Sequence, residues 1–452
     1  MSHSKSRCWR SSATLVASWL LAAAWLPGAN VSAQWSGWMG DSRDNRPSNV
    51  QLPEDFQSTK PKLVWKADAA GGYSGPAVVG ESLFLTDYQT NDDNTVTNFE
   101  RKNVTGAERV RCLDAASGTE KWSFSYPVSY TISYPAGPRV TPTVEENRVY
   151  TLGAEGDLYC FDVQSGDIRW NKKLPQEYKT KAALWGYASH PLIDSDKLIC
   201  VVGGDGTHTV AFNKSTGEEI WRYGSASEQG YVPPTLIQAG GTRQLITASK
   251  DWVSSLNPDT GDEYWSVPYE ATNGSIIMSP VTTTIEGQHY LYLAGYSNKN
   301  LLLELAMDQP TAKVVWQDLH RQAIAPVNVQ PMVEGNMLYG FDQKGTFIGA
   351  ELPSGERLWE TALPLAERPV QTGTAFLISP RGDDRYALFT EQGDLVLADL
   401  SPKGFREIDR THLIEPTGVA FGRKVVWSAP AYVGSRIYVR NDKQVLCYDL
   451  GS

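Results

Sequence analysis

Two stretches of the sequence concentrate aromatic and basic side chains, YPVSYTISYPAGPRVTP (126–142) and YKTKAALWGYASHP (178–191). Indole and phenol rings can stack on a planar ligand, and an arginine can bind a carboxylate through two parallel hydrogen bonds. The chemistry that these residues favour is therefore binding, either of a small anionic or planar ligand or of an extended peptide. From these stretches and from later ones we take eight candidate ligand-binding residues: Tyr134, Arg139, Trp185, Tyr187, His190, Tyr231, Gln330 and Trp427.

The same side chains can instead pack the loops against one another, and we favour this interpretation for most of them. For His190 we expect a structural hydrogen-bonding role rather than a catalytic one. Turn formation explains a further set of acidic residues, most of which stand beside glycine. These are Glu155, Asp157, Asp205, Asp342, Glu391 and Asp394.

No residue is assigned a catalytic role. The sequence lacks the Gly-x-Ser-x-Gly nucleophile elbow, the His-Glu-x-x-His zinc signature and a phosphate-binding loop, although a site assembled from distant loops leaves no such trace. The insertion TNDDNTVTNFERKNVTG (90–106) carries Asp92-Asp93-Asn94, but it lacks the spaced oxygen ligands of an EF-hand. We therefore expect a mobile polar hairpin there, and neither a metal site nor a firm cofactor site.

Residues 1–33 have the pattern of an export signal. Lys5, Arg7 and Arg10 precede the apolar run ATLVASWLLAAAWL (13–26), and Val31-Ser32-Ala33 offers a small-residue cleavage site. The run is shorter than the ~20 residues that a membrane span requires. We expect cleavage near Ala33, which leaves residues 34–452 as a single exported domain in the periplasm or medium, without a transmembrane segment.

The surface charge excludes one class of partner. The formal net charge of −10 becomes −13 when the three basic residues of the signal, which contains no acidic residue, are removed. Phosphate backbones are repelled by such a surface. We therefore expect no nucleic-acid binding, and a monomer that binds a protein or a small ligand.

A repeated sequence unit indicates the strands and turns that must position the candidate residues. CFDVQSGDIRW (160–170) recurs as CLDAASGTEKW (112–122), AFNKSTGEEIW (211–221), SLNPDTGDEYW (255–265) and AELPSGERLW (350–359), each with tryptophan four residues after glycine. An Asp or Asn can hydrogen-bond the backbone of its own turn, and the glycine supplies a positive φ. The unit therefore predicts a strand, a turn and a second strand whose tryptophan fills space against a neighbouring sheet.

The spacing of this unit predicts an all-β, eight-bladed β-propeller of four-stranded antiparallel blades. From Trp122 to Ile408, successive anchors stand 43–51 residues apart, which suits four short strands. The last repeat stops at YDLGS, while KLVWKAD (62–68) is a spare strand, so the N-terminal strand is expected to complete the last blade. The expected anchors are Trp65, Trp122, Trp170, Trp221, Trp265, Trp316, Trp359 and, in one blade, Ile408.

The cysteines fit this architecture as free, buried thiols. Cys112, Cys160 and Cys447 occupy the small-residue position before the turn, in three different blades. Packed sheets lie ~10 Å apart, whereas a disulfide requires Cα atoms within ~7 Å. There is no Cys-x-x-Cys and no adjacent cysteine pair, so metal-cluster and redox motifs have no support.

The small-x-Asp-x-x-Ser/Thr-Gly-x-x-x-Trp unit resembles the repeat of the PQQ-like propellers, which include quinoprotein alcohol dehydrogenases and the outer-membrane assembly lipoprotein BamB. Exported bacterial propellers described only as PQQ-binding-like are similar in four segments. These are the opening Trp35-x-x-Trp38-x-Gly40-x-x-Arg43-Asp44, SYPAGPRVTPTV (133–144), WGYASHPL (185–192) and LSPKGFREIDRTHLIEPT (400–417).

Two departures from the family bear on function. BamB is tethered through a lipid on a cysteine at its cleavage site, whereas Cys8 precedes the apolar run here. Quinoprotein dehydrogenases clamp PQQ with a disulfide between adjacent cysteines, which this sequence lacks.

The sequence thus favours a non-catalytic, exported binding or scaffold protein that acts through its channel-mouth loops, with BamB-like envelope assembly as one form of that role. The alternative is a PQQ-dependent alcohol or sugar dehydrogenase. In that enzyme PQQ with Ca²⁺ would lie in the funnel, stacked on an aromatic residue such as Trp185 or Trp427.

Overall fold

The computed structural model describes Met1, residues 34–95 and residues 97–451. The expected export signal therefore falls almost wholly outside the described residues. Within the described part of the chain, no helix is long and apolar enough to cross a membrane. The elements below all belong to the unit Ala33–Ser452.

Thirty-two of the strands form eight four-stranded antiparallel sheets, which confirms the predicted all-β, eight-bladed propeller. In chain order, a first strand β1 (Lys62–Asp68) precedes seven complete blades. Blade 1 comprises β2 (Ala77–Val79), β3 (Ser82–Gln89), β4 (Lys102–Asp114) and β5 (Glu120–Ile132). Blade 2 comprises β6 (Thr143–Glu145), β7 (Arg148–Leu152), β8 (Asp157–Asp162) and β9 (Ile168–Lys173). Blade 3 comprises β10 (Leu192–Asp194), β11 (Lys197–Val201), β12 (Thr209–Asn213) and β13 (Glu219–Tyr223).

The second half continues in the same way. Blade 4 comprises β14 (Thr235–Ala239), β15 (Thr242–Ala248), β16 (Trp252–Leu256) and β17 (Glu263–Pro268). Blade 5 comprises β18 (Val281–Ile285), β19 (Gln288–Gly295), β20 (Lys299–Leu305) and β21 (Ala312–Gln317). Blade 6 comprises β22 (Met332–Glu334), β23 (Met337–Phe341), β24 (Phe347–Glu351) and β25 (Arg357–Thr361). Blade 7 comprises β26 (Ala375–Ile378), β27 (Tyr386–Thr390), β28 (Asp394–Ser401) and β29 (Gly404–His412).

Blade 8 closes the ring as predicted. Its inner three strands are β32 (Ala431–Val433), β33 (Arg436–Arg440) and β34 (Gln444–Asp449), and its outermost strand is β1. Trp65 of β1 lies opposite Cys447 of β34. The inner strand of blade 1 has the inner strands of blades 2 and 8 as neighbours, so the last sheet meets the first.

The repeated tryptophan fastens six of the eight blades to the next one, and we call this contact the fastener. In blade 2, Trp170 faces Cys160 across the sheet, and its ring packs on Gly217 in the outer turn of blade 3. The indole Nε1 donates to the carbonyl of Lys214 in that same turn, at 3.1 Å. Five further tryptophans donate to a backbone carbonyl of the following blade at 2.7–3.2 Å, namely Trp65, Trp122, Trp221, Trp316 and Trp359.

The exception is explained by the degenerate repeat that follows it. Trp265 of blade 4 would meet the outer turn of blade 5, where Ala312 stands in place of glycine. Its Nε1 donates instead to the side chain of Gln244 in its own blade, at 2.9 Å. The fastener therefore depends on the turn that receives it, and not on the tryptophan alone.

The four cysteines of the described residues are free and buried, as the sequence predicted. Cys112, Cys160 and Cys447 each face a fastening tryptophan across the sheet, and Cys200 lies in the core. Burial raises the pKa of the Cys160 thiol to about 12 and that of Cys447 to about 11. These thiols are packing residues that favour the protonated form.

Two features of the fold were not predicted. The strands β4 and β5 of blade 1 are thirteen residues long, so Tyr126 and Tyr130, which were expected in a loop, lie within β5. Both phenols donate to the buried carboxyl of Glu108, whose pKa is raised by burial. A further two-stranded hairpin, β30 (Gly418–Ala420) and β31 (Arg423–Val425), stands between blades 7 and 8.

Residues 34–47, which we call the N-terminal strap, cross the ring on the inside. Trp35 exchanges two backbone hydrogen bonds with Val78 of blade 1, at 2.7 and 2.8 Å. The strap then bonds to backbone groups beside the inner strands of blades 2, 3, 6 and 7, at Val144, Pro191, Val333 and Ser379. It therefore ties the first blades to the later ones, in addition to the closure by β1.

The fastener predicts a stability difference between two glycines. Gly217 and Gly335 both have positive φ, but an added Cβ would lie 2.8 Å from the Trp170 ring at Gly217 and would meet nothing within 4 Å at Gly335. We expect Gly335→Ala to cost about 1 kcal/mol through backbone strain alone. Gly217→Ala adds crowding and should cost about 2–4 kcal/mol in total. Urea unfolding followed by tryptophan fluorescence measures the free energy of unfolding of both variants. Equal losses of stability would contradict the predicted crowding of Trp170 at Gly217.

Candidate functional site

The loops that lead from each outer strand to the next inner strand meet at one end of the channel, which we call the mouth. They enclose a cavity of about 250 Å³, and each of the eight inter-blade connections contributes to its lining. Trp38 of the strap also lines it, so the strap forms part of the cavity wall. An inner chamber with an open mouth is the usual setting for a binding site on a propeller.

Seven of the eight candidate residues line this one cavity, namely Tyr134, Arg139, Trp185, His190, Tyr231, Gln330 and Trp427. Tyr187 does not. It is buried in the core, and its hydroxyl donates to the carbonyl of Val202 at 2.9 Å. Gln330 is engaged as well, since its side-chain oxygen accepts from the backbone N–H of Ser279 at 2.8 Å. The ligand-binding role of the seven residues stays a prediction.

Arg139 is bound by the protein itself. Its guanidinium donates to the carbonyls of Ser133, Tyr134, Gly137 and Trp185. It also lies over the Tyr73 ring, with Cζ 5.1 Å from the ring centroid. The side chain therefore joins two mouth loops, as the packing interpretation holds, and leaves little donor capacity for a bidentate anion.

Aromatic rings form two clusters at the mouth. Trp185 packs between Tyr231 and Phe99, with ring centroids 5.6 Å from each. On the other side Trp427 contacts Tyr134 at 5.9 Å and Phe421 at 6.2 Å. Phe99 and Phe421 were missed in the sequence because they stand in turns. The signals that could have found them are the length of the 90–106 insertion and the Phe-Gly pair between two short apolar runs.

His190 is buried against the strap. Its ring stacks on Trp38 with centroids 4.5 Å apart and 13° between the planes. Neither ring nitrogen has a hydrogen-bond partner among the described residues, so the expected side-chain hydrogen bond is not found there. Burial, with Arg43 nearby, holds the pKa of His190 well below its usual range. The imidazole is therefore neutral at pH 7.

None of the six acidic turn residues lines the cavity, and five of them accept hydrogen bonds from other groups of the protein. Glu391 binds Arg423 through both carboxylate oxygens, at 2.7 and 3.1 Å, and accepts from Trp427 Nε1 at 3.2 Å. It anchors the β30–β31 hairpin, whereas the sequence assigned it to turn formation. Asp342 does cap its own turn, accepting from the N–H groups of Lys344 and Thr346.

The cavity does not fit a calcium-assisted quinone. Ca²⁺ takes six to eight oxygen ligands, usually with several carboxylates. The described residues that line the cavity include no Asp or Glu, and the described chain holds no cluster of three or more metal-ligating side chains. A carboxylate base for alcohol oxidation is equally missing from that lining. The arrangement suits binding by aromatic contact and side-chain amides.

His190 also sets a pH dependence of stability. The unfolded imidazole takes up a proton below pH ~6.5 while the folded one stays neutral, so the unfolded state binds more protons and stability falls as the pH drops. The loss is about 1.4 kcal/mol per pH unit for each such group. His208, with a pKa lowered to about 4 by burial, adds to it.

We expect His190→Phe to keep a ring against Trp38. The variant should lower by one the number of extra protons that the unfolded state binds relative to the folded state. Its free energy of unfolding should fall less steeply than that of the wild type between pH 6.5 and 5. Urea titrations at pH 7, 6 and 5 measure the slopes. Parallel curves for the two proteins would show that His190 does not resist protonation.

Comparison with known proteins places this geometry in a family. The family model described as outer membrane protein assembly factor BamB matches residues 106–361 and 249–452. The chain is similar to the outer membrane protein assembly factor BamB of Moranella endobia, with 22% identity over 77% of this chain and 84% of that protein.

Solved structures support the fold. The BamB crystal structure from Moraxella catarrhalis superposes with a TM-score of 0.54 at 15% identity, covering 86% of this chain and 99% of that one. A quinohemoprotein alcohol dehydrogenase from Comamonas testosteroni gives 0.62 at 12% identity, covering 94% of this chain and 82% of the dehydrogenase. Structural likeness therefore does not separate the two functions, but the family model covers most of the propeller, and the chain belongs to the family of the outer membrane protein assembly factor BamB.

Proposed function

We propose that this propeller is a non-catalytic binding protein of the cell envelope that takes part in outer-membrane protein assembly by holding a protein partner on its mouth loops. The observation that carries the proposal is the composition of the mouth. Phe99 and Phe421 are exposed at the rim, while the half-buried Arg139 and Arg423 and the buried Glu391 bind one another or backbone carbonyls. Such a surface offers contacts for binding and few free groups for proton transfer.

Export of the chain is part of the same proposal. The basic start, the apolar run and the small residues before Ala33 predict delivery across a membrane. The relatives named for outer-membrane assembly support an envelope location for this chain. We place the propeller in the periplasm, at the inner side of the outer membrane.

The dehydrogenase is the second candidate, and only the shared fold favours it. Fold alone does not determine function, because many activities occur on one architecture. A quinoprotein mechanism requires a cation to polarise the quinone carbonyls and a base for the substrate hydroxyl. The carboxylate-free lining of the cavity argues against both requirements.

Site-specific photo-crosslinking tests the proposal. A benzophenone side chain is introduced at the half-buried Trp185 of the mouth, and at Met307 in an outer turn as a more accessible control, since Met307 is 53% exposed. We expect the mouth position to crosslink to a component of the outer-membrane assembly machinery in the native envelope, and the outer-turn position not to. Crosslinks of equal yield at both positions would contradict a mouth interface. Oxidation of an alcohol with an artificial electron acceptor by the purified, PQQ-supplemented protein would favour the dehydrogenase.

A further inference from the structure

A groove runs along the mouth between two projections. One is the loop between β3 and β4, here named the lip loop, of which residues 90–95 and 97–101 are described. The other is the β30–β31 hairpin, here named the lip hairpin. The space between them is about 1450 Å³. Sites for small molecules measure about 300–1,000 Å³, so the groove is sized for a longer ligand such as an extended peptide.

Phe421 stands at the tip of the lip hairpin, where phenylalanine is an unusual choice. Ala420 and Arg423 pair across a two-residue turn, and the central residues Phe421 and Gly422 have φ of 50° and 74°. Turns of this kind favour Asn-Gly, because both central residues take the left-handed conformation. Phe421 also leaves 37% of its surface exposed. The free fold would be better served by asparagine.

Phe99 repeats this pattern on the lip loop. It is the third residue of a turn closed by a hydrogen bond from Glu100 N–H to the Thr97 carbonyl at 3.1 Å, and its φ is 73°. Glycine or asparagine is usual at a turn position with positive φ. Phe99 is nevertheless 51% exposed. Two strained turns that both present a phenylalanine to one groove point to a function outside the free fold.

Both projections are held in place. In the lip loop, Arg101 donates to the carbonyls of Thr131 at 2.9 Å and Ala182 at 3.2 Å. The ion pair between the buried Glu391 and the half-buried Arg423 fixes the lip hairpin to blade 7. A groove with fixed walls loses less conformational entropy when it binds, so the two rings are pre-organised for a ligand.

The charges of the groove indicate the chemistry of that ligand. Its described lining contains two carboxylates, Asp92 and Asp442, and no Lys, Arg or His. Arg440 lies behind Asp442, but its guanidinium donates to the carbonyls of Ala70, Thr86 and Asn441. Aromatic faces beside carboxylates attract a cation. Anionic lipid headgroups, in contrast, would be repelled.

We propose that this groove receives an extended segment of a partner protein in which an aromatic or large apolar side chain lodges between Phe99 and Phe421, and a neighbouring lysine or arginine lies against Asp92 and Asp442. The inference deepens the proposed function and rests on it, because it names the chemistry of the segment that the mouth would hold. The rings supply the apolar contact area, and the carboxylates select the sign of the partner's charge.

A defined peptide tests the chemistry without knowledge of the partner. The probe is fluorescein-labelled GSKFKFGS, with GSEFEFGS and GSKSKSGS as comparison peptides, titrated with the full chain expressed for export and followed by fluorescence anisotropy. We expect GSKFKFGS to bind at least tenfold more tightly than either comparison peptide. Equal binding of GSKSKSGS would reduce the effect to ionic attraction, and equal binding of GSEFEFGS would remove the selection by charge; either result would overturn the proposal.

The variants exploit the strained turns. Phe421→Asn and Phe99→Asn should fold with an unchanged or higher thermal midpoint, because asparagine suits each turn, and yet should weaken binding of GSKFKFGS about tenfold, as loss of an interface anchor does. Met307→Asn, at an exposed site far from the mouth, should leave binding unchanged. Asp92→Asn combined with Asp442→Asn should weaken GSKFKFGS and leave GSEFEFGS no weaker than before. A lower thermal midpoint with undiminished binding in the phenylalanine variants would assign the rings to packing and overturn the proposal.

Failure of this inference and failure of the proposed function give different results. If the peptide does not bind while the benzophenone at Trp185 still captures an assembly component, the groove chemistry is wrong and the proposed function survives. If the peptide binds as expected while the mouth captures no assembly component, the groove is a peptide site of a protein with another role.

Discussion

The fold depends on one contact, made again in blade after blade, between a tryptophan and the outer turn of the next blade. The ring covers the turn glycine while its Nε1 donates to a carbonyl of the same turn, as Trp170 does with Gly217 and Lys214. A buried tryptophan contributes about 5 kcal/mol of transfer free energy by area, and the hydrogen bond fixes its orientation. Only glycine leaves room for the ring, so the spacing of glycine and tryptophan is set by two neighbouring blades together. Because the fasteners lie on the outer strands, the inner loops are free to differ without loss of the ring.

That freedom explains how the mouth is built. Its loops are joined by polar side chains that bind backbone carbonyls, such as Arg139 and Arg101, because irregular backbone leaves carbonyls that need donors. The strap adds a second support, since it places Trp38 against His190 in the wall of the cavity. The charged side chains that could have bound a ligand inside the cavity instead hydrogen-bond the loops. The two projections at the mouth present Phe99 and Phe421 outward.

The sequence predicts the architecture far better than the site, and the reason is physical. Fasteners recur at fixed spacing, so Trp65 and Trp359 could be assigned to blades from their distance to a glycine or to the chain end. Loop residues have no such period. Tyr187 stands three residues from His190 and looks equivalent, but its hydroxyl finds the Val202 carbonyl in the core. Phe99 and Phe421 were invisible because their exposure follows from left-handed turns, which the side-chain pattern does not predict.

The relation to the quinoprotein dehydrogenases has the same cause: contacts on the outer strands set the fold, while the loops of the mouth set the chemistry. An eight-bladed ring of this size provides a central cavity whatever the loops contain. The TM-score of 0.62 to a dehydrogenase therefore reflects the shared arrangement of the blades and not a shared reaction. Catalysis would require carboxylates that are free to bind a cation or accept a proton. Here Glu391 has both oxygens bound to Arg423, and Glu108 is enclosed by two phenols. Asp92 and Asp442 line the outer groove, where they can meet a charge brought by a partner. In this chain the propeller has kept the cavity of the shared fold, while the strained aromatic turns and the carboxylates of the groove lie where a second protein can reach them.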